Sequence, residues 1–319
     1  MRRNLADLLE RAGAPRRSPQ LSAPDLSPWL EGNVLSGVWS FAAAEPGLHV
    51  CVVALTHGNE IAGAVALDRL LQAKLRPMAG RLTFIFANLD AFSRFDPADP
   101  TASRFLEEDL NRLWDYAMLD GPRRSCELRR ARMLRPVLDT ADVVLDLHSM
   151  LWPADPLFLV GGPSESMALA LELGDPPLVV NDPGHEDGRR LIEYGLFGTP
   201  RSGRRSVLLE AGWHWEEETV QRMEHAVRRL LGVTGLGPVL AAPPTAPRSA
   251  RVTKTVTARS GSFVFARPWR GGEVLPHAGT LLAVDGDRKI HTPYENCLLV
   301  MPNLMPQPGQ TALRLATFT

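Results

Sequence analysis

Cysteine and lysine are both scarce in this chain. Three cysteines, Cys51, Cys126 and Cys297, stand far apart in 319 residues and form no C-x-x-C pair, which argues against a disulfide framework and against a thiolate metal site. Cys51 lies inside an apolar stretch and reads as a small core hydrophobe. The lysines are Lys74, Lys254 and Lys289; the other basic residues are arginines, and pairs such as Arg123 and Arg124 read as solvated surface. Formal net charge is -1, so the overall balance calls for neither nucleic acid nor an anionic membrane as partner. No apolar run approaches the ~18 residues of a membrane span. The N-terminal stretch MRRNLADLLERAGAPRRS is broken by Asp7, Glu10 and Arg11 and has no secretory core, so a cytoplasmic address is expected. No strand is followed by G-x-G-x-x-G or G-x-x-x-x-G-K-[ST], which removes the usual nucleotide cradles.

The chain does hold 45% hydrophobic residues, enough for a large core and a smaller second unit. Apolar, β-branched runs at 49–55, 80–92 and 141–150 alternate with helical patterns at 61–75 and 125–139. In the first helix Ala64, Leu67, Leu70, Leu71 and Leu75 share one side, Asp68, Arg69 and Gln72 the other, and Asn59 is a fair N-cap. Short strands at 156–162 and 176–180 flank a helix at 164–173; a strand at 204–215 and an amphipathic helix at about 216–232 follow. This rhythm predicts an α/β fold with right-handed crossovers around a mixed, largely parallel sheet. The Pro- and Ala-rich stretch 237–250 reads as a linker, after which short β runs, with a hairpin turn at Asp285 and Gly286, predict a small all-β C-terminal domain. The expected division is 1–240 and 241–319.

The chemistry-bearing residues gather at the ends of the strands, where open α/β sheets build their sites. His57 and Glu60, in T-H-G-N-E, lie where the first strand runs into its helix. His148 closes another strand as D-L-H-S, and two histidines with one carboxylate form the open ligand set of a catalytic zinc, with water as the fourth ligand. Asp146 shares a strand face with His148 and suits a carboxylate that orients a ligand imidazole, His57 being the preferred partner. Glu210 ends an otherwise apolar strand, positioned to exchange a proton with water on the metal. His214, between Trp213 and Trp215, is a rival ligand, although aromatic neighbours more often signal packing. Asn111 and Arg112, in D-L-N-R, with Arg104 ahead of them, offer an amide and planar forks to a substrate carboxylate; Arg201 is a weaker candidate of the same kind.

H-G-N-E at 57–60, D-L-N-R at 109–112, D-L-H at 146–148 and a strand-terminal Glu210 ahead of a small β domain, in that order, resemble the succinylglutamate desuccinylase and aspartoacylase family of zinc hydrolases. The resemblance runs from about 49 to 300 and implies a carboxypeptidase-like α/β/α sandwich. It implies one Zn2+ per chain on His57, Glu60 and His148, with Glu210 as general base and then acid. It further implies a substrate carboxylate on Asn111 and Arg112, and Arg104 polarising the scissile carbonyl. The implied reaction is hydrolysis of an N-acyl amide of a small carboxylate-bearing molecule such as an N-acyl amino acid; the alternative is a zinc carboxypeptidase-type exopeptidase acting on short peptides. The expected partner is that small N-acylated substrate, without nucleic acid or membrane; self-association stays open. Two departures, S-M-L-W-P-A-D-P at 149–156 and Leu298 to Met301 in place of a late tyrosine, argue against N-acetylaspartate as the substrate.

Overall fold

The computed structural model describes all residues except 1–4, 15–18 and 186. Its spine is an 11-stranded sheet in the order β1-β3-β2-β4-β7-β5-β6-β8-β14-β13-β10. Its first seven strands are β1 (Val38–Ala42), β2 (His49–Ala54), β3 (Arg81–Phe86), β4 (Val143–Met150), β5 (Leu157–Val160), β6 (Leu178–Asn181) and β7 (Arg205–Trp213). The C-terminal part adds β8 (Arg248–Thr257), β9 (Phe263–Phe265), β10 (Val274–Leu275), β11 (Leu281–Asp285), β12 (Arg288–His291), β13 (Cys297–Val300) and β14 (Thr311–Phe318). The helices are α1 (Leu5–Arg11), α2 (Ile61–Gln72), α3 (Leu89–Phe92), α4 (Tyr116–Asp120), α5 (Cys126–Leu138), α6 (Ser164–Leu173) and α7 (Glu217–Val233).

Strand parity builds the sandwich. Val50, Val52 and Ala54 of β2 face a core shared with α2, α6 and α7, whereas Cys51 and Val53 face a second core with Leu128, Ala131 and Leu134 of α5. With both faces covered, β4 is buried along its whole length, its polar residues Asp146, His148 and Ser149 included. The parallel neighbours β3, β2, β4 and β7 carry the predicted crossovers, and the antiparallel β1 and β5 make the sheet mixed.

The C-terminal strands continue this sheet. β8 follows the Pro-rich stretch and pairs parallel to β6, and β14 and β13 extend the ladder beyond it. A separate three-stranded antiparallel sheet, β12-β11-β9, packs with them around Leu282, Ile290, Leu299 and Leu313. The β11–β12 hairpin pairs Asp285 with Arg288, so its two-residue turn is Gly286 and Asp287, one position later than the sequence suggests. Gly286 has φ +62, the left-handed geometry such turns require.

Candidate metal centre

The turn after β2 is tight, and its residues explain how. Leu55 takes φ +58 while fully buried, which swings the chain away from the sheet. Gly58 follows where a Cβ would stand 2.5 Å from backbone atoms of Ala91 and Phe92 and 2.6 Å from the Ser103 carbonyl, so only glycine fits. α2 then begins with Glu60, not Asn59, at its N-cap position, and no side chain caps it. The Asn59 carbonyl accepts a hydrogen bond from Trp215 Nε1 at 3.1 Å. The Glu60 carboxylate is free of capping and turns into the crevice.

There it meets both histidines. His57 Nδ1 lies 2.7 Å from Glu60 Oε1 and His148 Nδ1 lies 3.3 Å from Glu60 Oε2, all three residues being buried. One ligand atom from each falls within 4.8 Å of the others, a spacing that one ion can bridge. The opposite ring nitrogens face carboxylates: His57 Nε2 is 2.9 Å from Asp109 Oδ1, and His148 Nε2 is 2.9 Å from Asp146 Oδ2. The second contact is close without being a well-aligned hydrogen bond. Arg104 Nη2 also lies 2.8 Å from His57 Nε2, beside Asp109. The tautomer with a proton on each Nε2, held by its carboxylate, is the one that leaves Nδ1 a lone pair for a cation, the arrangement by which proteins orient metal-binding imidazoles. Asp146 therefore serves His148, its neighbour on the strand, and not His57; Thr56 Oγ1 donates to its other oxygen at 3.0 Å. Asp109 takes the place beside His57.

The electrostatics fit a divalent cation. Burial alone would raise the carboxyls of Glu60 and Asp109; imidazoles beside both, with Arg104 beside Asp109, hold them well below the usual carboxylate range. Burial would lower His148, but Asp146 and Glu60 outweigh it and raise the ring well above its ordinary value. The carboxylates of Glu60 and Asp109, held ionised beside two imidazoles, thus attract positive charge into a buried space, and the nitrogen and oxygen donors suit divalent ions such as zinc.

Glu210 stands on β7 directly across from His148 in the parallel register with β4. It is buried, its Oε2 has no hydrogen-bond partner among the described residues, and burial, with Glu60 nearby, pushes its carboxyl up to about 8. Arg104 reaches the other side of the cluster, 3.1 Å from Asp109 Oδ2 and 3.5 Å from Glu60 Oε1, with 39% of its side chain exposed. Its loop is fastened by Glu127, a fully buried residue in the first turn of α5. The Glu127 carboxylate accepts from the backbone of Leu106, Glu107 and Glu108 at 2.7, 3.2 and 3.4 Å and from Asn88 Nδ2 at 3.3 Å.

Asn111 and Arg112 lie in a short 3-10 turn capped by Asp109, which accepts from Asn111 N at 2.8 Å. The Asn111 carbonyl accepts from Leu191 N at 2.9 Å, which directs its amide NH2 toward other partners. Arg112 donates to the backbone carbonyl of Asn111, not to its side chain, at 2.8 Å and sits 3.4 Å from Asp187. Arg201 is not brought to the site. It is an exposed residue at φ +59 in the turn before β7, its amide bonded to Glu165, while Glu210 stands five residues into that strand. His214 lies outside the ligand cluster, its Nδ1 2.8 Å from Ser149 Oγ.

Sequence reasoning passed over Asp109, although it stands inside the D-L-N-R motif, and it passed over Arg314 of β14. Arg314 is buried, paired with Asp182 at 2.9 Å, and close enough to Arg112 and Glu210 for their charges to affect its own. Nothing in the local sequence separates it from the many surface arginines.

Residues 46–151, which carry both histidines, Glu60, Arg104, Asp109, Asn111, Arg112 and Asp146, match the family described as the succinylglutamate desuccinylase/aspartoacylase catalytic domain. A succinylglutamate desuccinylase of Burkholderia orbicola is 26% identical over 303 residues, covering 89% of this chain and 85% of that protein. The same-named proteins of Ectopseudomonas mendocina and Pseudomonas fluorescens are 37% and 34% identical over shorter stretches, which span only 24% and 36% of their own lengths. Among solved structures, the succinylglutamate desuccinylase of Vibrio parahaemolyticus superposes with a TM-score of 0.67 at 20% identity, covering 89% of this chain and 86% of that one. An aspartoacylase family protein of Mesorhizobium loti gives a TM-score of 0.63 at 18% identity over 95% of this chain and 99% of its own. Residues 46–151 thus match the catalytic domain of the succinylglutamate desuccinylase/aspartoacylase family, and the chain as a whole shares the fold of solved proteins that carry that name.

Proposed function

We propose that this protein is a zinc-dependent deacylase that hydrolyses the N-acyl amide bond of a small, carboxylate-bearing substrate such as an N-acyl amino acid. The match of residues 46–151 to that catalytic domain supports hydrolysis of an amide bond. The observation that carries the metal is the pairing of each histidine with its own carboxylate, Asp109 or Asp146, on the side away from Glu60. His57 Nδ1, Glu60 and His148 Nδ1 would hold the ion. Zinc, when bound there, supplies Lewis acidity and a water acidified to a pKa of about 7.

The chain's own groups do the rest. Glu210, buried and unpaired at Oε2, holds its proton up to about pH 8 without metal; a divalent cation beside it would lower that value, and the ionised carboxylate would then take a proton from the attacking water and return it to the leaving amine. The Arg104 guanidinium, fixed by Asp109, donates to the carbonyl oxygen as negative charge grows there. The Asn111 amide and Arg112 receive the substrate carboxylate and fix its distance from the scissile bond. We assign this chemistry to residues 1–240 and the closing of the crevice's far wall to 241–319, whose Arg314 is paired with Asp182 and feels the charges of Arg112 and Glu210. That wall favours compact amides over long peptides.

The test combines metal analysis of the purified protein with a panel of N-acyl amino acids and C-terminal dipeptides, assayed for the wild type and Glu210→Gln. Zinc near one per chain and cleavage of an N-acyl amino acid, lost in the variant, are expected. A preference for dipeptides would move the assignment to an exopeptidase, and full activity of the variant would remove Glu210 from the chemistry.

A further inference from the structure

The run Trp213, His214, Trp215 does more than pack. Between the pairs His148 with Glu210 and Met150 with Trp213, β7 advances three residues while β4 advances two. The extra residue is accommodated at Gly212, which takes φ +139 and where a Cβ would lie 2.6 Å from Thr219 Oγ1. Such bulges turn the side chains that follow them. His214 is thereby laid across the end of β4: its N–H donates to the Met150 carbonyl at 3.1 Å, its Nδ1 meets Ser149 Oγ at 2.8 Å, and its ring stands edge-on to Trp215 at 5.2 Å.

Both contacts of this segment lead to ligand-bearing backbone. Ser149 follows His148, and its N–H donates to Glu60 Oε2 at 2.8 Å. Trp215 Nε1 donates to the carbonyl of Asn59, the residue before Glu60. His214 is buried, and burial lowers its ring to about 4, so it is a neutral hydrogen-bond partner at neutral pH.

We infer that His214 and Trp215 are positioning residues of the metal centre, a brace after the β7 bulge that ties the His57–Glu60 loop to the end of β4 and sets the orientation of the Glu60 carboxylate. This rests on the reading of His57, Glu60 and His148 as ligands. The brace acts through Ser149 and Asn59 and contributes no ligand of its own. Groups behind metal ligands typically change affinity by about 10- to 100-fold when removed, and the same range applies to His214.

The test is the zinc dissociation constant of the full chain, measured by competition with a chromophoric chelator, alongside thermal unfolding. His214→Phe keeps the ring and loses the bond to Ser149; zinc binding about 10- to 100-fold weaker is expected. His214→Asn returns a polar group at the Nδ1 position and should restore affinity to within about threefold. Ser149→Ala, a smaller change, should weaken zinc as His214→Phe does, and the double variant should be no weaker than either single one. Wild-type affinity in folded His214→Phe or in Ser149→Ala overturns the brace, as does His214→Asn binding as weakly as the phenylalanine variant. Failure of the wild type itself to bind zinc is a separate result that removes the metal centre, and the inference with it.

Discussion

Glu210→Gln should stabilise the protein once a chelator has stripped it of metal, while abolishing hydrolysis. In the folded chain burial moves the Glu210 carboxyl from 4.5 to about 8. Below pH 4.5 the group is protonated whether the chain is folded or not, and it adds nothing. Between pH 4.5 and 8 the unfolded chain releases this proton and the folded chain keeps it, so stability falls as pH rises; above 8 the loss is complete. At about 1.4 kcal/mol for each pH unit separating the two values, the penalty is about 3 kcal/mol at pH 7 and about 5 kcal/mol above pH 8. Glutamine cannot ionise and is nearly the same shape, so the variant escapes this penalty. Urea denaturation of both chelator-treated proteins at pH 5, 7 and 9 should show a stability gain that is small at pH 5 and grows to a few kcal/mol at pH 9. Amide hydrolysis by the zinc-loaded variant should fall about 10²- to 10⁴-fold, the usual contribution of a positioned base. Equal stability at pH 9, or a gain that does not change with pH, would refute the placement of an uncompensated carboxyl at this position.

Other outcomes follow from the same geometry. Removing metal with a chelator should abolish hydrolysis, and zinc at about 100 times its dissociation constant should restore it while adding about 2.7 kcal/mol to stability, read as a shift in thermal unfolding. Asp109→Asn should weaken zinc binding about 10- to 100-fold, because an amide holds the His57 Nε2 proton less strongly; unchanged affinity in a chelator competition would separate Asp109 from the centre. Arg112→Met should raise KM for a carboxylate-bearing amide at least about tenfold, with a much smaller effect on the matching carboxamide, since charge-assisted bonds are worth roughly 1.5–3 kcal/mol. Arg104→Met should instead lower kcat with KM little changed, and an effect confined to KM would reassign it to binding.

Much of the centre was legible because a parallel sheet imposes a grammar. His57, Glu60, His148 and Glu210 each end an apolar strand or open the helix beyond it, and strands β2, β4 and β7 are neighbours, so the four side chains share one edge. Parity placed Asp146 on the same face as His148, but which imidazole it reaches depends on the path of the loop that brings in Asp109, and that path is set by packing. Arg201 precedes the strand of Glu210 in sequence and was grouped with it, yet the start of β7 is the edge of the sheet away from the site. Asn59 has the composition of a cap, but its carbonyl is held by Trp215, 156 residues away, and the helix starts without a side-chain cap. The addition of β8 and β14 beside β6 joins segments about 70 and 130 residues apart, beyond what periodicity encodes.

Glu127 has a bearing on how ligands are received. By gathering the amides of residues 106–108 in a buried position, it fastens the chain midway between Arg104 and Asp109 before any ligand arrives. The ordering entropy of that wall is spent during folding, not on association. On the proposed function, an amide that reaches the crevice would meet a guanidinium already aimed, so differences among amides in rate or affinity would reflect their own fit against a rigid surface. Loosening the wall with Glu127→Ala should depress all of them alike.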